Sequence, residues 1–218
     1  MSITNCFPLI TVASAVALSL ASGSAFARLT NADCQGIVAA AVTAAGLADS
    51  DFRPGVVPPK MQIACLDRTG KILASHVDPD AWVGSIDIAR AKAYSAMAFS
   101  SNENALSTRT LGCAAQPDGP LFELGNSNDP ATGNNSIRER GIIVFPGGLP
   151  LYKDGELVGG IGVSGDSVRL DEDVAEAGAV DFEPAPGITS EAVIGVEYVY
   201  TTATANNAAA LCGVPVND

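Results

Sequence analysis

The chain has 218 residues, with 24 Asp and Glu against 12 Lys and Arg, which gives a formal net charge of −12 at pH 7. A surface this acidic repels nucleic acid and anionic lipid headgroups, so neither is expected as a partner. A single histidine excludes a His₂ or His₃ metal site within one chain.

Residues 1–27 read as a signal peptide. The run LITVASAVALSLASGSAFA is apolar, rich in small residues, and ends in Ala25-Phe26-Ala27, an A-x-A cleavage pattern. No Lys or Arg precedes it, a departure from the usual basic flank. Interruptions by Ser, Thr and Gly favour a cleaved leader over a membrane anchor. The expected location is therefore periplasmic or secreted. In an oxidising compartment Cys34, Cys65, Cys113 and Cys212 allow up to two disulfides in three pairings. Cys34 with Cys212 and Cys65 with Cys113 is the pairing expected here. The alternative for Cys65 is a small buried residue in an apolar strand. No C-x-x-C occurs, which disfavours a thiol oxidoreductase or a zinc knuckle.

TNADCQGIVAAAVTAAG predicts a first helix, with Thr30 and Asp33 as a capping box and Gly46 as its stop. Cys34, Ile37, Val38, Ala41, Val42 and Ala45 fall on one buried face, and their small size implies close approach to a sheet. FRPGVVPPK is a linker. MQIACL, the turn DRTG and KILASHV form a hairpin, and strand alternation places His76 on the face of Ile72 and Ala74. SIDIARAKAYSAMAF, free of Gly and Pro, is a helix. Residues 110–140 are crowded with Gly, Asn, Asp and Pro, and a long irregular span inside a domain usually carries function or partner contacts. GIIVF is expected to be a strand.

Within GGLPLYKDGELVGGIGVSGD, GIGVSG fits G-x-G-x-x-G, the phosphate-cradling pattern of dinucleotide folds. That pattern needs a parallel strand and a second strand about 20 residues on, where DFEPAPG stands instead. Asp154-Gly155 between two apolar runs predicts a hairpin, so the glycines serve close packing in an antiparallel sheet. VRLDEDVAEAGA is an acidic helix. In the tail after Ala179, EAVIGVEYVY reads as a strand and ATANNAAALC as a short helix. Runs of antiparallel strands flanked by helices make the class α+β.

The stretches IACLDRTGKILASHVDPDA, IARAKAYSAMAF, GIIVFPGGLPLYKDGELVGGIGVSGD and DEDVAEAGA resemble the GlcG/HbpS family of haem-binding, sometimes haem-degrading, domains. The resemblance covers roughly Ala32 to Ala179 and divides the chain into a signal peptide (1–27), a family domain (28–180) and a C-terminal extension (181–218). It implies a profilin-like α-β-α domain with a central antiparallel sheet, and assembly into homo-oligomers. It also implies a haem or similar small-molecule ligand in secreted relatives, and kinship with domains beside corrinoid enzymes. Where the family has an R-M-D-G-A-like turn, this chain reads His76-Val77-Asp78-Pro79-Asp80-Ala81, with histidine at the basic position.

If haem is bound, the expected contacts are His76, as iron donor, with Asp78 to fix its tautomer, and Lys92, Tyr94 and Met97 on the second long helix. The ordinary alternatives are a packed histidine, a solvent-facing lysine and core Tyr and Met. Asp173 and Glu176, one turn apart, form a second candidate iron pair, against the plain reading of carboxylates favoured at a helix start. A carrier, scavenger or sensor input is expected in preference to turnover. The rivals are an enzyme of the same fold, haem-degrading or acting on a small organic metabolite, and a ring-forming assembly protein.

Overall fold

A computed structural model describes residues 27–115, 121 and 141–189. Helix α1 (Asn31–Leu47) is capped by Thr30, whose side chain accepts from the Asp33 amide while the Asp33 carboxylate accepts from the Thr30 amide. Strands β1 (Gln62–Asp67) and β2 (Ile72–Val77) follow, then helices α2 (Ser85–Ala98) and α3 (Thr108–Ala114). Strands β3 (Gly148–Lys153) and β4 (Glu156–Ser164) lead into α4 (Val168–Ala179) and a 3-10 turn at Pro186–Ile188. The sheet runs β2-β1-β4-β3 with every neighbouring pair antiparallel. β4, which holds GIGVSG, therefore lies between two antiparallel partners, and the phosphate-loop reading fails on topology.

Three layers result, with α1 and α4 on one face of the sheet and α2 on the other. Ile37, Val38 and Ala41 of α1 and Val174 of α4 pack with Ile63, Cys65, Leu149, Leu151, Ile161 and Val163 into the main core. The other face carries Ala64 and Leu66 against Ala89 and Ala93 of α2. At Gly160 and Gly162 on β4, a methyl group would collide with the backbone of Ala93 and Ala89. Glycine there lets α2 lie directly on the sheet.

Three expectations need correction. Cys34 and Cys65 form a disulfide with each other, their Cα atoms 5.6 Å apart, because α1 lies across the face of β1 on which Cys65 points. That excludes Cys34–Cys212 and Cys65–Cys113; Cys113 is buried in α3 and Cys212 lies outside the described residues. GIIVF is not a strand. It is irregular chain beside α2, where the Ile143 amide donates to the Ser95 hydroxyl at 2.9 Å instead of to a ladder partner. Finally, α3 occupies the start of the span read as irregular from residue 110. The tail strand and helix read from the sequence, and the leader, lie outside the described residues.

Candidate functional site

β1 and β2 pair in regular register from Gln62–Val77 to Cys65–Ala74, then slip so that Leu66 faces Ile72. The bulge inserts Leu73 and reverses the alternation. Ala74 and His76, opposite Cys65 and Ile63, share the α1 side of the sheet, whereas Ile72 joins Leu66 on the α2 side. His76 and Ile72 thus stand on opposite faces, contrary to simple strand alternation.

Ile72 and Leu66 form one wall of a cleft of about 500 Å³ between the β1–β2 hairpin and α2, with Gly141 and Ile143 also in its lining. Asp87, Ile88, Arg90, Ala91 and Tyr94 form the opposite wall. Spacings of three and four along α2 put these side chains on one face. The floor is aliphatic, and the polar side chains are three. Asp87 and Arg90 pair loosely at 3.6 Å with both side chains substantially exposed, which leaves the guanidinium available to another anion. Tyr94 is half-buried and lies against the Ala64, Leu66, Ala89 and Ala93 cluster. A concave aliphatic site with a few convergent polar groups is the usual form of a small-ligand pocket, and its volume falls in the common range of roughly 300–1,000 Å³.

Of the residues singled out in the sequence, only Tyr94 lines this cleft. His76 is half-buried on the opposite face. The Asp78 carboxylate accepts from the Asp80 amide and lies 3.7 Å from Lys60. Met97 is buried under β4 beside Gly160. Lys92 is 2 % exposed and points away from the cleft, through the end of the sheet, donating to the Val163 carbonyl at 2.8 Å and to Asp171 on α4 at 2.7 Å. Asp171 also accepts from the Asp166 amide, and Asp166 in turn binds the Ser50 hydroxyl and the Asp51 amide. The A-x-K-A helix and the GVSGD segment are therefore two halves of one buried anchor joining α2, α4 and the turn after α1. Ile72, Ile88 and Ile143 were not singled out as ligand contacts, although the face Asp87, Arg90, Tyr94 was visible as helical spacing.

Burial sets the ionisation of α4. It pushes the Asp171 carboxyl up to about 6, with the Lys92 ammonium opposing, and Lys92 itself is drawn down. Asp173 is held by Arg169 at 2.6 Å, and Glu172 is paired with the buried Arg109. Glu176 has one carboxylate oxygen buried with no hydrogen-bond partner. Burial first, and then the neighbouring Glu172 and Asp173, push it up to about 8. Among the described residues no three His, Cys, Asp or Glu side chains converge on a metal position.

A pH dependence follows. Glu176 is protonated more readily in the folded chain than in the unfolded one, so folding retains a proton that unfolding releases, and stability falls as pH rises toward 8. The Asp171 contribution is lost through about pH 6, and the Glu176 contribution continues to fall up to about pH 8. Glu176→Gln is expected to flatten this decline and to raise the melting temperature most at pH 8 and above. Differential scanning calorimetry across that window checks it, and parallel profiles for variant and wild type would show the carboxyl to be ordinarily hydrated.

A family model described as haem-degrading protein, HbpS-like, matches residues 29–180. Among curated proteins the chain is similar to the corrinoid adenosyltransferase PduO of Citrobacter freundii, with 32% identity over 114 residues, which are 52% of this chain and 30% of PduO. It thus spans under a third of that relative. An uncharacterized 15.0 kDa protein of the dhaT-dhaS intergenic region of Citrobacter freundii is 32% identical over 111 residues, 51% of this chain and 68% of that protein. Among solved structures, Klebsiella pneumoniae ORFY superposes with a TM-score of 0.56 at 28% identity, covering 75% of this chain and 97% of ORFY. PduOC, solved as a haem complex, superposes with a TM-score of 0.56 at 26% identity, covering 73% of this chain and 98% of that one.

Proposed function

The chain belongs to the HbpS-like family of haem-degrading proteins, and from that premise we propose that it is an exported protein that binds haem, or a similar planar tetrapyrrole, as a carrier, scavenger or sensor input. The observation that carries the reading is the cleft between α2 and the β1–β2 hairpin. Its aliphatic floor of Leu66, Ile72, Ile88, Ala91 and Ile143 suits a flat apolar macrocycle, and Arg90 at the rim suits a carboxylate substituent. Tyr94 adds an oxygen donor of a kind that haem iron accepts. The residues present therefore fit the group. Two further features support the reading: PduOC, a structure of similar fold, was solved with haem, and the buried Cys34–Cys65 disulfide suits an oxidising compartment. Self-association belongs to the same proposal, with Val77, Trp82 and Val83 as exposed apolar residues available for it.

Titration of the purified protein with haemin tests this. A saturable Soret shift with one site per chain is expected, and Ile72→Glu, which sets a charge into the aliphatic wall at a position already 37% exposed, should weaken binding about tenfold or more. No shift at micromolar haemin removes the proposal. Decay of the Soret band with reductant and oxygen would favour the degrading enzyme instead. His76→Ala separates the two iron-donor readings: an unchanged Soret maximum agrees with the cleft, and a lost one restores the imidazole on the opposite face.

A further inference from the structure

We infer that the seam between α3 and α4 holds a second site, apart from the cleft: Arg109, Glu172 and Glu176 enclose an ordered water that ties the two helices together. Glu172 and Glu176 stand one turn apart on α4, so their side chains share a face. Arg109 reaches them from α3 with its side chain 3% exposed, and its Nε donates to Glu172 Oε2 at 2.5 Å. Nη2 touches the same oxygen as an ion pair without an aligned hydrogen bond, and Nη1 has no partner. Glu172 Oε1 and Glu176 Oε1 are buried and unpartnered as well. Arg109 is also close enough to Glu176 to oppose the burial that raises its carboxyl. Among the described residues, five buried side-chain nitrogen and oxygen atoms lack a hydrogen bond, and four of them belong to this one group. Leaving a buried donor or acceptor unmade costs more than an ordinary hydrogen bond gains, so donors and acceptors left over together point to a molecule that bridges them.

Charge identifies the occupant. Arg109 and Glu172 neutralise each other, and burial holds Glu176 protonated near neutral pH, so the group as a whole is close to neutral. An anion added there would be an uncompensated buried charge beside the Glu172 carboxylate, and a cation would meet the guanidinium. A neutral molecule that both donates and accepts incurs neither cost. Water does so in the smallest volume. A buried water makes about three hydrogen bonds, which the Nη donors and the two carboxyl oxygens supply. Glu176 is only half-buried as a residue, which leaves a route for exchange with bulk water. The seam also bears on the cleft, since Gly112 of α3 packs against the Val144 carbonyl, one residue from Ile143 in the cleft lining.

The experiment observes Arg109 in protein labelled with ¹⁵N-arginine, near pH 7, for wild type, Glu176→Gln and Glu176→Leu. Thermal melts confirm that the variants fold. In wild type the Arg109 guanidinium protons should show a cross-peak to water, with the sign that marks proximity and not exchange. Glu176→Gln keeps a carbonyl oxygen at the site and should keep the cross-peak, whereas Glu176→Leu should lose it. Absence of the cross-peak in wild type would overturn the inference, and so would a cross-peak of full strength in Glu176→Leu. Wild type is also melted with increasing formate against chloride at matched ionic strength. An unchanged melting temperature is expected, and a saturable rise with formate would overturn the inference by giving the site to an anion. A crystal structure that defines ordered solvent supplies an independent check. It should place a water within hydrogen-bond distance of an Arg109 Nη and of a carboxyl oxygen of Glu172 or Glu176; Arg109 bonded wholly to protein atoms would contradict it.

Discussion

Gly162→Val is expected to destabilise the protein by more than about 4 kcal/mol, enough to unfold much of it at room temperature. Gly162 lies on the central strand, where α2 crosses the sheet. A Cβ there would fall on the Ala89 carbonyl oxygen and within 2.5 Å of the Ala93 amide nitrogen. Both are backbone atoms inside a helix, so neither can swing aside as a side-chain tip would. Relief requires α2 to lift from the sheet, which also opens the Ala64–Ala89–Ala93 contact and displaces the cleft wall. Gly46 supplies the control. It lies near the end of α1 with open space around its Cβ position, and Gly46→Ala should stabilise by about 0.5–1 kcal/mol through helix propensity alone. Urea denaturation of the pair measures both signs, and a Gly162→Val midpoint near wild type would contradict the close crossing.

Lys92→Met should cost about 3–5 kcal/mol near neutral pH, because it leaves the Asp171 carboxyl, 3% exposed, without its cation. Asp171 already titrates high through burial, so in the variant it takes up a proton, and the deficit shrinks as the solution is acidified through that range. Lys92→Met combined with Asp171→Leu should recover most of the loss, since replacing a whole buried ion pair by apolar groups is often neutral. The folded fraction of the single variant should still bind haemin, because Lys92 is sealed from the cleft. A loss below about 1 kcal/mol would mean that the pair is hydrated, as surface pairs are. Loss of haemin binding at full folding would return Lys92 to the ligand site.

Local chemistry made much of this fold readable. The Thr30–Asp33 capping box, the Asp154-Gly155 turn and the apolar periodicity of α1 are each written within a few residues, and each appears where those residues place it. What escaped depends on partners far along the chain. Lys92 looks like any helical lysine until Asp171, 79 positions later, is brought to it. The Cys34–Cys65 bond needs α1 laid over β1, which neither cysteine's neighbours specify. GIIVF has the composition of a strand, but the amide of Ile143 finds Ser95 on α2 instead of a ladder partner. The candidate site was hidden chiefly by one residue: the extra Leu73 at the bulge turns Ile72 toward α2 and His76 away from it, and period-two alternation cannot register an insertion. Tyr94 was visible as a candidate, but the wall it faces was not.

The central claim is the location of the ligand, and its most direct test is a chemical-shift map of the isotope-labelled protein titrated with gallium(III) protoporphyrin IX, a diamagnetic mimic of ferric haem. The cleft predicts that the largest changes fall on Leu66, Ile72, Ile88, Arg90, Ala91, Tyr94 and Ile143, with the α1 side of the sheet nearly silent. Changes centred on His76 and its neighbours on β2, with α2 silent, would contradict it.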